Sequence, residues 1–348
     1  MTDRQTLENQ RGEINFRKKL VSQQVDAEQI FTDEFDKSGI ESILQERMDD
    51  TLRKLSHLSK QGIILSPYLE IGAERCQRSM VVETDLNSRG IAIDLSFDML
   101  RSGEYYSKVW TKDLPLRICA DLYNTPLKSG SLPFIFCYQT LHHFPDPRPL
   151  VAEMHRILSS GGVFYFDEEP FKKGFHLNLY KTQKVFSSDH INRNVLRKVL
   201  DHFFAEYINN EEEHGVIEND DISIASWRRT FNIFNDQEIT LSSPGSISSG
   251  LYGSKFSLSF RLNYLFGGNI SGTCKKKGSL NNSINSIERA LTCPICLADG
   301  QEPDMTMGTE ALTCTSCQHA FPIIDGIVIL MESERMRMLY PQFENKME

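Results

Sequence analysis

Apolar positions along this chain fall into two alternating rhythms. Tyr68–Ile71, Ile91–Ile93, Leu116–Ala120, Phe134–Tyr138 and Val163–Phe166 are short apolar runs, too short for a helix and of buried-strand length. Between them apolar residues recur at helical spacing. Met80–Val82 follow the turn at Gly72, and Phe97, Met99 and Leu100 follow Asp94. Leu150, Met154, Ile157 and Leu158 follow a helix start at Pro145–Pro147, and Gly161–Gly162 is the expected stop. Strand, helix, strand predicts an α/β fold with a mostly parallel sheet covered on both faces.

The flanks read differently. Residues 1–64 predict exposed helices. Ile40, Ile43, Leu44, Met48, Leu52, Leu55 and Leu58 form an apolar stripe opposite a wet face of Glu46, Asp49, Asp50, Arg53 and Lys54. This is a packing helix against the sheet or a flap over a ligand. From Phe171 to Phe204 the pattern turns helical, with Leu196, Val199, Leu200 and Phe203 on one face. Glu211–Glu213, His214 and Gly215 make a polar break, read as a solvated loop. A helix over Trp227–Phe234 follows, then a strand at Glu238–Leu241 and a Ser/Gly-rich loop over 242–254. A helix at Phe256–Phe266 and a strand at Ile270–Cys274 come next, and then the polar stretch KKKGSLNNSINS. The expected organisation is an N-terminal helical region (1–64), a main domain (65–275, with an insert at 171–235), a linker (276–286) and a small domain (287–348).

Two stretches carry chemistry. In the first, Gly72 and Asp94 bracket a strand–turn–helix–strand unit. The glycine permits close backbone approach, the helix start offers free N–H groups, and a carboxylate stands at the second strand tip about 20 residues on. That arrangement holds a ribose-bearing cofactor. In the second, Cys293-x2-Cys296 is followed after 17 residues by Cys314-x2-Cys317. Four thiolates at this spacing predict a closed tetrahedral Zn2+ site, structural rather than catalytic, whose metal supplies much of the folding energy of so short a segment. His319 is surplus to that set. The tail FPIIDGIVILM reads as strand, Asp-Gly turn, strand.

Composition narrows the partners. The chain has 348 residues, 40% of them hydrophobic, and a net charge of −9, so an electrostatic grip on nucleic acid is not favoured. Basic clusters at Arg17–Lys19, Lys172–Lys173, Arg228–Arg229 and Lys275–Lys277 would matter only if aligned on one face. No apolar run approaches the ~20 residues a membrane helix needs, and the polar start has no signal-peptide core, so a cytoplasmic protein without a membrane partner is expected. Of eight cysteines, Cys76, Cys119, Cys137 and Cys274 are isolated and read as core. Cys76 alone is placed to touch a ligand.

Five segments together resemble the class I S-adenosylmethionine-dependent methyltransferases, within them the small-molecule and ubiquinone-type group, over roughly 65–275. They are LEIGAERC, GIAIDLS, CADLYNTPL, FIFCYQTLHHFPDP and RILSSGGVFYFDEEP. The resemblance implies a Rossmann-like, seven-stranded sheet with helices on both faces, whose last strand pair breaks the parallel run. It implies S-adenosyl-L-methionine as cofactor. Glu70, Gly72 and Ala73 would frame its amino-acid end, Asp94 and Leu95 its ribose, Asp121 and Leu122 its adenine, and Cys137, Tyr138 and Gln139 its methionine portion. His142 and His143 would stand on the acceptor side as candidate bases. One departure is plain: the family's acidic-x-Gly-x-Gly-x-Gly motif has Glu74 and Cys76 here in place of its second and third glycines. Arg75 or Arg78 would offset the added charge. The tail, with CPIC, CTSC and FPIIDGIVILM in order, is similar to the small zinc-ribbon activators of methyltransferases, with Val328 where they often carry proline. It implies a ribbon acting in cis or docking a protein partner.

The expected activity is therefore methyl transfer, to a small molecule rather than RNA. A methyltransferase fold that has lost its cofactor and an RNA or translation-factor methyltransferase are the two alternatives. Asp167-Glu168-Glu169, at the fifth strand tip, is read as either an acceptor-holding group or a solvated loop.

Overall fold

The computed structural model describes residues 3–24, 37–183, 195–208, 215–244, 246–280 and 287–346. The strands are β1 (Tyr68–Ile71), β2 (Gly90–Asp94), β3 (Leu116–Cys119), β4 (Leu132–Tyr138), β5 (Leu158–Phe171), β6 (Tyr180–Gln183), β7 (Ala205–Ile208), β8 (Asp236–Ser243), β9 (Ile247–Gly250), β10 (Gly268–Lys275), β11 (Met305–Met307), β12 (Ala311–Cys314), β13 (Ala320–Ile324) and β14 (Ile327–Ile329). All but β6 and β7, which pair with each other, join one sheet in the order β11-β12-β13-β14-β3-β2-β1-β4-β5-β10-β8-β9.

The run β3-β2-β1-β4-β5 is parallel, and β10 enters antiparallel between β5 and β8. That is the expected arrangement, but the expected seven-stranded sheet is corrected to twelve strands. One addition is β9, inside the stretch read as a Ser/Gly loop. The other four are the ribbon strands. Ile327, Val328 and Ile329 are all buried, so this strand needs cover on both faces. It pairs in parallel with β3, Val328 opposite Ile118, and closes an edge whose free N–H and C=O groups would otherwise face solvent. The hairpin before it turns at Asp325 (φ 51°) and Gly326 (φ 70°), as the Asp-Gly pair requires.

Helices α1 (Asp3–Gln23) and α2 (Lys37–Lys60) precede the sheet, and α3 (Gln77–Thr84), α4 (Phe97–Trp110) and α5 (Pro147–Ile157) connect its strands. The α2 stripe is buried at Ile40, Leu44, Met48, Leu55 and Leu58. Its wet face is incomplete, because Lys54 turns inward to Asp167 at 2.6 Å. The α5 helix ends at Ile157, before the glycine pair, and Leu158 already opens β5.

The insert is irregular and not helical over 172–179, and its described helices are Val195–Phe204 and Ile224–Phe231. Leu200 is exposed there, whereas Asp201 is buried and accepts from the Tyr180 hydroxyl at 2.6 Å. The Leu196 and Val199 side chains, Glu211–Glu213 with His214, and linker residues 281–286 lie outside the described residues. The described start of the linker is pinned: Lys276 N donates to Gly162 O (2.9 Å), and its Nζ donates to the carbonyls of His155 and Leu158 (both 2.7 Å). The ribbon also shares the main core, with Leu291, Cys293, Leu312 and Phe321 in one cluster with Ile118, Leu127 and Ile135. No described helix is long and apolar enough to cross a membrane.

Candidate functional site

The carboxyl ends of the parallel strands open into a cavity of about 300 Å3, where open α/β sheets hold ligands. Glu70, Gly72, Asp94, Leu95, Asp121, Leu122, Tyr138, Gln139, His142 and His143 all line it. Two expected residues do not. Ala73 packs with Cys76 and Met80 in the layer beneath α4. Cys137, wholly buried, lies in the main apolar core, because side chains on a strand alternate between faces and its neighbour Tyr138 takes the cavity side.

Gly72 (φ 66°) passes Thr140 so closely that a Cβ would lie 2.4 Å from its Oγ1, so no side chain fits there. The two replaced glycine positions keep glycine-like backbone, Glu74 at φ 47° and Cys76 at φ 60°. This left-handed conformation strains a residue that has a Cβ. Cys76 points into the core, where burial raises its thiol pKa, so the expected ligand contact is corrected. Glu74 does face the cavity, but its carboxylate is held by Arg17 (3.2 Å), Arg47 (3.4 Å) and Gln77 (3.1 Å). Burial opposes its charge. Arg47, Arg17 and Arg75 overcome that and hold the carboxyl at about 2. Relief thus comes mainly from α1 and α2. Arg78 instead lies 3.9 Å over the Tyr138 ring and donates to Thr51.

Three more carboxylates stand at strand tips. Glu70 is buried, accepts from Ser79 Oγ, and is pushed by burial to about 8. Asp94 accepts from Ser96 N at 2.7 Å and Glu74 N at 2.8 Å. Burial lifts it to about 6 against the pull of those amides and of Arg17. Asp121 caps the turn Leu122–Asn124 through Tyr123 N (3.0 Å), and its other oxygen meets Arg335 at 2.7 Å.

The fifth strand tip is not a solvated loop. Asp167 accepts from the Tyr165 hydroxyl and the Glu168 amide as well as Lys54. Glu169, with no exposure, gathers Thr140 N (2.7 Å), Leu141 N (2.8 Å), His142 N (3.1 Å) and His142 Nδ1 (2.8 Å). Only Glu168 faces the cavity.

His142 lies between two carboxylates, with Glu218 3.4 Å from Nε2. Burial disfavours its charge, yet Glu169 and Glu218 raise it to about 10, so it is an imidazolium at neutral pH and no proton acceptor. His143 has Nδ1 against Ile217 O (2.9 Å) and Glu218 (3.2 Å). Both are acceptors, so Nδ1 carries a proton. One nitrogen of each histidine and an oxygen of Glu218 lie within 4.8 Å of one another, a ligand-like spacing that the two carboxylates and the His142 charge account for without an ion.

In the ribbon, Cys293–Cys317 and Cys296–Cys314 sulfurs are 3.7 and 3.8 Å apart, and all four lie within 4.8 Å. Ligands about 2.3 Å from a tetrahedral zinc stand about 3.8 Å from each other, so the set fits that ion. Amides of Ser316 and Cys317 point at Cys314 Sγ (both 3.4 Å). Although burial raises the thiol, these amides lower it on balance.

Several members of the basic clusters are already engaged. Arg17 faces the cavity, Lys172 pairs with Asp221, Lys173 donates to His202 O, Arg228 to Leu251 O, and Lys276 to the carbonyls named above. Sequence reasoning missed Arg17, Arg47, Thr140, Glu218 and Arg335 as site residues. Arg17, Arg47, Glu218 and Arg335 reach the site from distant stretches, whereas Thr140 sits between the predicted Gln139 and His142 and was passed over.

A family profile described as a methyltransferase domain matches residues 69–166. An uncharacterized chloroplastic methyltransferase of Arabidopsis thaliana is 33% identical over 121 residues, 32% of this chain and 34% of that protein. A second from the same plant is 38% identical over 78 residues, 21% and 22% of the two chains. The chain thus spans about a third or less of the length of these curated relatives. Among solved structures, a complex between the Haloferax volcanii Trm112 methyltransferase activator and a methyltransferase aligns over 68% of this chain and 94% of that one (16% identity, TM-score 0.39). A Bacillus halodurans protein described as a methyltransferase aligns over 65% and 99% (12% identity, TM-score 0.41). Likenesses this distant say nothing of activity or partners.

Proposed function

We propose that the protein is an S-adenosylmethionine-dependent methyltransferase acting on a small molecule, with a structural zinc ion in its C-terminal ribbon. The observation that carries this reading is the convergence of Asp94, Asp121, Glu70 and the Gly72–Thr140 contact on one cavity at the strand tips. The methyltransferase-domain match over 69–166 supports it.

The residues fit the cofactor. Asp94 spends one acceptor site of each oxygen on a main-chain amide and keeps the others for two ribose hydroxyls. Asp121 retains capacity for the adenine amino group, and Leu95 and Leu122 offer the ring apolar walls. Glu70, beside the amino-acid end, suits an ammonium group. Bound S-adenosylmethionine supplies a methyl group already activated by a sulfonium. The chain's own work is to orient the reactants and exclude water. Arg17 and Arg47 draw Glu74 toward α1 and α2, helices that help line the cavity, which favours a flap role over passive packing. His143 Nε2 is the base available to an acceptor that must lose a proton. His142, fixed by Glu169 and Glu218, holds the turn that presents it.

The cofactor-free alternative rested on the lost glycines. It is weakened because Cys76 faces the core and Glu74 is neutralised. RNA is disfavoured by the net charge of −9 and by the basic residues already engaged within the protein. The four thiols, none of them in a disulfide, suit a reducing, cytoplasmic setting. The test is calorimetric titration with S-adenosylhomocysteine at neutral pH. One equivalent should bind the wild type, and Asp94→Ala should weaken it about tenfold or more, the cost of losing hydrogen bonds to a charged acceptor. Heat-silent titration of zinc-loaded wild type would overturn the reading.

A further inference from the structure

The segment beyond the ribbon's last strand turns back over the sheet edge and reaches two of the strand tips that line the cavity. Leu330 N donates to Cys119 O (3.0 Å), carrying the β14–β3 register up to the Asp121 loop. Helix Ser333–Leu339 then brings Arg335 against Asp121 Oδ2 at 2.7 Å and, from the same guanidinium nitrogen, against Gln10 Oε1 of α1 at 2.7 Å. The next residue after the helix, Tyr340, is buried. Its hydroxyl donates to Leu95 O and accepts from Phe97 N (3.0 Å), bracketing the Asp94–Phe97 loop. Its ring packs against Phe97 (6.5 Å) and Phe343 (5.6 Å), so the hydroxyl is held in place by apolar contacts independent of its hydrogen bonds.

We propose that Arg335 and Tyr340 are positioning residues for the two carboxylate loops, Arg335 for Asp121 and Tyr340 for Asp94, so that the tail behind the ribbon tunes cofactor affinity. This rests on the cofactor reading above. The physical case is one of pre-organisation. A carboxylate on a loop must be frozen in one rotamer before it recognises a ligand, and that ordering subtracts from affinity unless the protein has already done it. Arg335 does it for Asp121 through an ion pair at 2.7 Å, and each Asp121 oxygen still has an acceptor site to offer. The Tyr340 hydroxyl meets this loop through the main-chain atoms Leu95 O and Phe97 N, so it fixes the loop without consuming any Asp94 acceptor site. Both reach the site only because β14 is zipped to β3.

The experiment uses full-length, zinc-loaded protein and the variants Arg335→Ala, Arg335→Lys and Tyr340→Phe. The last removes one oxygen and leaves the ring packing, so folding is preserved. Two quantities are read: affinity for S-adenosylhomocysteine by calorimetry, and amide hydrogen exchange without ligand over residues 94–97 and 121–124. Arg335→Ala and Tyr340→Phe should each weaken binding about tenfold, the size of one hydrogen bond to or around a charged group. Zinc content should be unchanged, and exchange should be faster in the matching loop only. Arg335→Lys should recover part of the loss. Unchanged or tighter binding overturns the proposal, as does unchanged exchange. If the wild type binds no S-adenosylhomocysteine, the cofactor reading falls. The exchange comparison then decides by itself whether the tail orders the two loops.

Discussion

Asp94 and Glu70 sit in the same cavity wall and are both lifted by burial, and each shift has its own consequence. Asp94 is raised to about 6, above the ordinary carboxyl range near 3.9. Below that pH it is protonated and offers a hydroxyl donor where two sugar hydroxyls need acceptors. Affinity for S-adenosylhomocysteine should therefore fall as pH drops through about 6, in addition to the gradient that Glu70 imposes near 8, and Asp94→Asn should bind weakly with the lower inflection gone. A wild-type profile flat down to pH 5 would contradict this. Glu70, raised to about 8, is largely protonated at pH 7. An ammonium group brought against it favours the charged form, so binding should release a proton. Calorimetry at pH 7 in buffers of different ionisation heat should report a release that Glu70→Gln abolishes. What was legible at this scale was local: Gly72, Asp94 and Asp121 announce themselves by type and by position after an apolar run. Arg17 and Arg47 did not, because their partner Glu74 is 57 and 27 residues away, and a single sequence carries no sign of such pairs.

Among elements, the βαβ alternation was readable because each buried strand is a compact apolar run ended by a turn residue. The insert was misread. Phe175, Leu177 and Leu179 recur with a period of two rather than at helical spacing, and the backbone there is irregular, with the Leu177 and Leu179 amides donating to Phe203 and Phe204 carbonyls. Both hairpin strands of FPIIDGIVILM were legible, but the partner of the second, 210 residues earlier at Val328–Ile118, was not. Through that pairing, a metal held by the four thiols would matter beyond its own knuckles. Removing zinc with a chelator, or Cys314→Ser, should lower the melting temperature by about 10 °C or more. Hydrogen exchange should rise in β3 as well as in the ribbon. Exchange confined to 287–330 would show that the ribbon is an independent appendage.

At the scale of the whole molecule, the cavity is assembled from every part of the chain. The parallel strands give the floor and the carboxylates, α1 and α2 bring the arginines that restrain Glu74, residues 217–220 bring Glu218 against the histidines, and the tail holds two loops from behind. The expected linear division into a helical region, a main domain, a linker and a small domain says nothing of their joint closure of one site. The sheet grew from seven expected strands to twelve for the same reason: edges find partners that are remote in sequence. The central claim is that the loop after Ile71, bulkier at Glu74 and Cys76 than a glycine motif, still leaves room for the nucleoside. A crystal structure of the zinc-loaded protein with S-adenosylhomocysteine tests it most directly. The account predicts ribose hydroxyls on Asp94, the adenine edge at Asp121, and Glu74 still paired to Arg17 and Arg47. A Glu74 side chain swung into the cavity with no bound nucleoside at saturating concentration would contradict it.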